Sequence, residues 1–165
     1  TAPPSRPPMN DRPPTPERAV NPDQALIHRF LREDPRPLPM DSNPLARALR
    51  TELHAADGAR GHVVLEFEPD ALFLQGGGVV QGGAISAMLD FAMAYAVLAH
   101  LPAGTSCTTV DLHTQFLRPA ARGRYRAFGE LERCGKALAF ARARLVRAGH
   151  EAHTIATATS TLALL

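Results

Sequence analysis

The residues of this chain best suited to chemistry lie between 75 and 90, where Gln75-Gly-Gly-Gly-Val-Val-Gln-Gly-Gly-Ala-Ile-Ser-Ala-Met-Leu-Asp90 leads through glycines into an apolar run carrying one carboxylate. The first four N–H groups of a helix lack intrahelical partners, and the dipole puts partial positive charge beside them. Gly82 and Gly83 leave those donors without side-chain cover, a setting for an anion or an oxyanion. Eight residues after Gly82, Asp90 sits in a segment, 84–101, whose other polar side chains are Ser86, Tyr95 and His100. Such an acid serves either as a reactive base or as a cap for a neighbouring loop. An apolar setting raises a carboxyl pKa and nearby donors lower it. Gln75 offers a carboxamide on a loop, to orient a reacting group or simply to be solvated. Thr109 offers a hydroxyl that could hold water or the acid, or serve β propensity alone.

These groups need a helix and a strand to hold them. The apolar run predicts one long helix from Gly82 to about Leu101, ended by Pro102 and Gly104. Upstream, Asn21-Pro-Asp-Gln24 reads as a helix start, with Asn as N-cap, Pro at N1 and Gln24 closing a capping box. That helix runs to about Glu33, and a second short one is expected from Pro44 to Leu49. From residue 49 the pattern changes to strands: Val63, Leu65 and Phe67 alternate, and further runs at 106–118, 124–133, 137–147 and 152–164 are separated by hairpin-length turn signals. Ala137, Ala139, Ala141 and Ala143 share one face, as do Ala152, Ala156, Ala158, Leu162 and Leu164, small enough to admit a helix closely. Because the helix is apolar nearly all round, the sheet must curl about it or a second subunit must cover it. The expected class is α+β, an antiparallel sheet of five to six strands wrapped on one central helix.

Over about residues 49–165 the chain resembles the hotdog-fold acyl-CoA thioesterases of the phenylacetate-degradation (PaaI-like) type. The motifs occur in order: Gln81-Gly82-Gly83 with Asp90, Gln75 upstream, Thr109-Val110-Asp111-Leu112 running into Phe116-Leu117-Arg118-Pro119, and Arg133-Cys134-Gly135-Lys136-Ala137-Leu138-Ala139-Phe140. The resemblance implies a hotdog fold and hydrolysis of CoA thioesters to acid and free CoA. In that reaction Asp90 would be general base or nucleophile, the Gly82 N–H the oxyanion donor, and Gln75 and Thr109 the orienting groups. It further implies substrate contacts from Gln81, Gly83, Val110 and Gly135, and from Arg118, Arg133 and Lys136, whose charges suit the CoA phosphates. One departure stands out: the family's His is Gln81 here, which cannot titrate near neutral pH. A non-catalytic acyl-CoA-binding or ligand-sensing module is the alternative, and a hydratase would need an acid–His dyad beside the helix, which is not found. Gly82 and Asp90 are about 12 Å apart along one helix at 1.5 Å per residue. If both act on one thioester, they come from different subunits of a homodimer, which can pair again into a tetramer.

The composition fits this reading. In 165 residues with 45% hydrophobic content there is room for one core, and a net charge of +2 with scattered arginines and the single lysine Lys136 gives no footprint for nucleic acid. Eleven of the fifteen prolines lie in residues 1–39, so 1–20 is expected to be a proline-rich arm, 21–48 a pair of short helices and 49–165 the thioesterase domain. Two cysteines without CxxC spacing suggest a reduced, cytoplasmic setting. Asp90 would cost about 2.5–3.5 kcal/mol at a bilayer centre, so no membrane span is expected. His150 and His153 lack a third ligand, so neither a metal nor any other cofactor is expected beyond the CoA of the substrate.

Overall fold

The computed structural model describes residues 21–165; the proline-rich arm expected at 1–20 lies outside the described residues. In chain order the elements are α1 (Pro22–Glu33), β1 (Leu38–Pro39), α2 (Pro44–Ala48), β2 (Glu52–Asp57), β3 (His62–Phe67), a 3-10 turn (Ala71–Phe73), α3 (Gly82–His100), β4 (Cys107–Phe116), β5 (Tyr125–Cys134), β6 (Leu138–Arg147) and β7 (His150–Leu164). The seven strands form one antiparallel sheet in the order β1-β2-β3-β5-β6-β7-β4. The sheet curls around α3, giving the expected α+β hotdog arrangement. The strand beyond the expected six is the two-residue β1, which its own Pro39 and the preceding Pro37 conceal in the sequence.

The sheet holds the helix closely because its inner face is small. Ala139, Ala141, Ala143, Ala156 and Ala158 are buried beneath α3, together with Leu145 and Leu162. At Gly129 in β5 an added Cβ would lie 2.1 Å from the carbonyl oxygen of Ala92, so only glycine allows the helix to rest there. Ala152 does not join this face. A register shift near Ile155 buries both Ile155 and Ala156 and leaves Ala152 exposed, reversing the alternation at the start of β7.

α1 closes the side of the helix away from the sheet. Leu26, Ile27 and Phe30 enter the same core cluster as α3. Asp23 clamps the two helices, accepting from the Tyr95 hydroxyl at 2.9 Å and from Ser42 Oγ at 2.6 Å. Asn21 caps α1 through the Asp23 N–H at 2.9 Å. Gln24 does not close the expected capping box: it is buried and turned into the 102–105 turn, donating to the Pro102 carbonyl at 2.8 Å and accepting from the Gly104 N–H at 2.9 Å. The turn after α3 offers it better partners than its own helix.

Gly129→Ala should destabilise the fold by about 1–3 kcal/mol or more, the usual cost of overpacking, seen as a lower urea midpoint. A variant as stable as the parent would mean that α3 is not held this closely.

Candidate functional site

Asp90 emerges from the buried helix where α3 passes the last strand of the sheet. Along that line Gly82 lies under the Phe116 ring, Ser86 Oγ donates to Thr114 Oγ1 at 3.3 Å, Asp90 meets Thr109, and Cys107 Sγ lies 3.9 Å from the Ala94 carbonyl. The four helix positions are four residues apart, hence on one face. Each meets β4, an edge strand whose ten residues pair only with β7 and are mostly exposed. The carboxylate therefore sits half-buried at the open edge of the sheet, not inside it. Thr109 Oγ1 donates to Asp90 Oδ1 at 2.8 Å. Burial raises the Asp90 pKa above the ordinary carboxylate value, and the Thr109 hydrogen bond opposes it less strongly. Nearby, burial and then the negative charge of Asp90 push the Cys107 thiol up to about 12, away from the range of an activated thiolate.

Thr109 owes its aim to a β-bulge. Thr109 pairs with Leu162 and Asp111 with Thr161, leaving Val110 as the extra residue. Asp111 closes the gap with its side chain: Oδ1 accepts from the Thr161 N–H at 3.0 Å, while its carbonyl accepts from Ser160 Oγ at 2.7 Å. Val110 is left 60% exposed on the edge. Asp111 thus fixes the bulge beside Thr109, a part that its place in the Thr109-Val110-Asp111-Leu112 motif does not reveal. The available signal was a short acid in the interior of a strand, where Asp is disfavoured.

The remaining expected residues fall into three places. Gln81, Gly82 and Gly83 form the exposed start of α3; Gln81 is the N-cap by backbone but its side chain makes no capping bond, and an added Cβ on Gly83 would meet nothing within 4 Å. Arg118 lies at this end also, with one guanidinium nitrogen donating to the Thr154 carbonyl at 2.5 Å. Gln75 is exposed in the preceding loop, its Oε1 accepting from the Gly77 N–H at 2.6 Å, which turns the carboxamide onto its own loop. Arg133, Gly135 and Lys136 are exposed around the β5–β6 hairpin, at the end of the sheet where Thr109 lies. Within one chain the two chemical halves are therefore apart: Asp90 meets Thr109 at one end of β4 and the glycine N–H groups meet Phe116 and Arg118 at the other, with Gly82 and Asp90 about 12 Å apart along α3.

His150 and His153 are exposed on β7. Among the described residues one other group has the donors for a metal, Glu52, His54 and Glu66. Glu66 is already bound by Arg126 at 2.9 Å and Arg124 at 3.2 Å, so the cluster is a network of ion pairs across β2, β3 and β5.

The chain is similar in sequence and fold to known proteins. The model of the family described as "Thioesterase superfamily" matches residues 77–152. A phenylacetic acid degradation-related protein from Ralstonia eutropha JMP134 is 34% identical, with 84% of this chain and 98% of that one covered and a TM-score of 0.71. A thioesterase family protein from Silicibacter pomeroyi is 27% identical over 86% of this chain and 96% of its own, TM-score 0.69. The E. coli PaaI protein of the phenylacetic acid degradation operon shares the fold at 19% identity, TM-score 0.69, over 89% and 96% of the two chains. No curated protein sequence matches.

Because the Asp90 pKa is raised on folding, the stability this group contributes is full below the ordinary carboxylate pKa and is lost as pH rises through the raised folded value. Asp90→Asn should therefore melt higher than the parent at neutral pH, with the difference closing in acid; equal melting at every pH would mean the carboxylate is not strained by burial. Thr109→Val removes the opposing hydrogen bond and should move the Asp90 titration, followed by carboxyl-carbon NMR, to higher pH. Asp111→Ala should move it the same way by freeing the bulge. An unmoved titration in both would separate Asp90 from this strand.

Proposed function

The chain belongs to the thioesterase superfamily, in its hotdog-fold, PaaI-like branch, and from that premise we propose that it hydrolyses acyl-CoA thioesters to free acid and CoA. The observation that carries the reading is Asp90, the one carboxylate of α3, held by Thr109 at 2.8 Å at the open sheet edge with its pKa raised. A base of raised pKa is better matched to proton transfer near neutral pH than an ordinary carboxylate. In the proposed step Asp90 takes a proton from a water as that water's oxygen attacks the thioester carbonyl. The carbonyl oxygen becomes an oxyanion and is met by the Gly82 N–H; collapse of the tetrahedral intermediate breaks the C–S bond, and the thiolate leaves with the proton returned from Asp90. Direct attack by the Asp90 carboxylate on the carbonyl carbon would break the C–S bond, release the CoA thiolate and give a mixed anhydride, which water then hydrolyses to the free acid and Asp90. Either path uses the same residues.

One subunit does not bring these groups together, and the edge strand supplies the reason to expect a second. A ten-residue exposed edge is a template for another strand. Two copies of β4 paired antiparallel about a two-fold axis would set the Thr109 end of one against the Phe116–Arg118 end of the other. Each Asp90 would then approach the partner copy's helix start, giving two equivalent sites per dimer. The exposed Val110 would be covered in the same contact, and a pair of dimers remains the proposed higher assembly. Arg118 from one side, and Arg133 and Lys136 from the other, are the cations proposed for the CoA phosphates.

Thiol release from a panel of acyl-CoAs tests the activity, and the description of the Ralstonia relative as phenylacetic acid degradation-related makes phenylacetyl-CoA the first to try. Asp90→Asn should lower kcat by about 10²–10⁴, the usual worth of general-base catalysis. Gln81→His should stay within about tenfold of the parent, since it changes neither the base nor the backbone donor. Binding of acyl-CoA with no turnover by the parent would favour the ligand-sensing alternative.

A further inference from the structure

Gly82 and Gly83 lie between two grooves of similar size and unlike chemistry. On one side about 310 Å³ opens between Gly82, Ile85 and the end of β4, where Phe116, Leu117 and Arg118 form the wall. On the other about 320 Å³ lies between Leu45 of α2, Leu72 and Phe73 of the 3-10 turn, and the helix positions Gly83, Ala84 and Ala87, with Gln81 at its mouth. The second groove contains no charged side chain. Its rim is strongly apolar yet open: Leu72 is 77% exposed and Leu45 43%. Its floor is made of residues with at most one side-chain carbon, facing the same side of α3 as Asp90: Gly83, Ala87 and Asp90 recur at helical spacing.

A CoA thioester has two unlike arms leaving its carbonyl, one anionic and one carrying the acyl group. Both must leave the oxyanion donor, and the two grooves flank that donor. The arm with phosphates matches the side that holds Arg118. We propose that the groove of Leu45, Leu72, Phe73, Ala84 and Ala87 is the acyl pocket, and that it selects uncharged, apolar acyl groups over short or carboxylated ones. The proposal rests on the thioesterase reading and adds the substrate class. Leu72 and Leu45 form its outer wall, so the selectivity is carried by exposed residues outside the helix core. A charged acyl terminus would be desolvated against them with no partner, which is costly.

The test is kcat/KM of the full chain on straight-chain acyl-CoAs from acetyl to octanoyl, with succinyl-CoA as the charged counterpart of butyryl-CoA. The pocket predicts a rise of about fourfold per added methylene, the worth of one buried CH2, until the groove is filled, and succinyl-CoA well below butyryl-CoA. Leu72→Asp should cut the octanoyl-to-acetyl ratio at least about tenfold, and Leu45→Ser should lower it in the same direction. Both sites are exposed, so both variants should fold, with circular dichroism as the check. An active enzyme whose ratio is flat, or whose ratio neither variant moves, would overturn the pocket and leave the thioesterase reading standing. A parent that releases no thiol from any member would overturn that reading and the pocket with it.

Discussion

A helix that is apolar on almost every side and carries one carboxylate can be buried in only one rotation. Placed against the sheet, Asp90 would lose its water without a partner, at a cost no neighbouring hydrogen bond could offset. Turned fully outward, it would expose the leucines and methionines that make the core. The rotation found puts ten residues of α3 in the core and brings the Gly82, Ser86, Asp90 and Ala94 face to the edge strand β4. The glycine at 129 and the alanine rows of β6 and β7 allow this, because they let the sheet curl close enough to cover three sides and leave the fourth open.

On the proposed reading the same constraint leaves the site incomplete within one chain. Edge strands are normally short, charged or covered. β1, at the other edge, has two residues and one is proline, whereas β4 is long, carries Val110, Leu112 and Phe116 at or above one-third exposure, and holds the threonine that hydrogen-bonds the acid. The bulge closed by Asp111 serves both properties, pointing Thr109 inward while pushing Val110 to the edge. On the proposed account, catalysis and assembly are two uses of a single strand.

Much of this was legible in the sequence because it rests on local signals. The limits of α3 follow from glycine before and proline after, and the four long strands from their alternation and turns. The chemical weight of Asp90 follows from its isolation among apolar neighbours. What was not legible is order across the sheet. Period-two alternation tells which face a residue joins, not which strand lies beside it, so the edge position of β4 could not be read. A bulge inserts one residue and reverses the alternation beyond it, which is why the period-two pattern puts Ala152 on the face of Ala156 although it does not join it. The role of Gln24 is hidden for a related reason: its partners are about eighty residues away in sequence, and a local capping pattern does not contain those contacts.

The central claim is that one active site draws its acid from one subunit and its oxyanion donor from another. The donor can be deleted alone: proline at the first helical position removes the N–H and suits a helix start, and Gln81 already has the extended backbone, φ −61° and ψ 143°, that a following proline requires. The nearest atom to an added Cβ at this position is the tip of the Phe116 ring at 3.2 Å, the end of a side chain and not backbone. Co-expression of Gly82→Pro chains with Asp90→Asn chains, each nearly inactive alone, is therefore the most direct measurement. With equal, random pairing half the dimers are mixed and each has one intact site of two, so the account predicts recovery of about a quarter of parent activity. Mixed dimers shown to form and found to be no more active than either variant alone would contradict it.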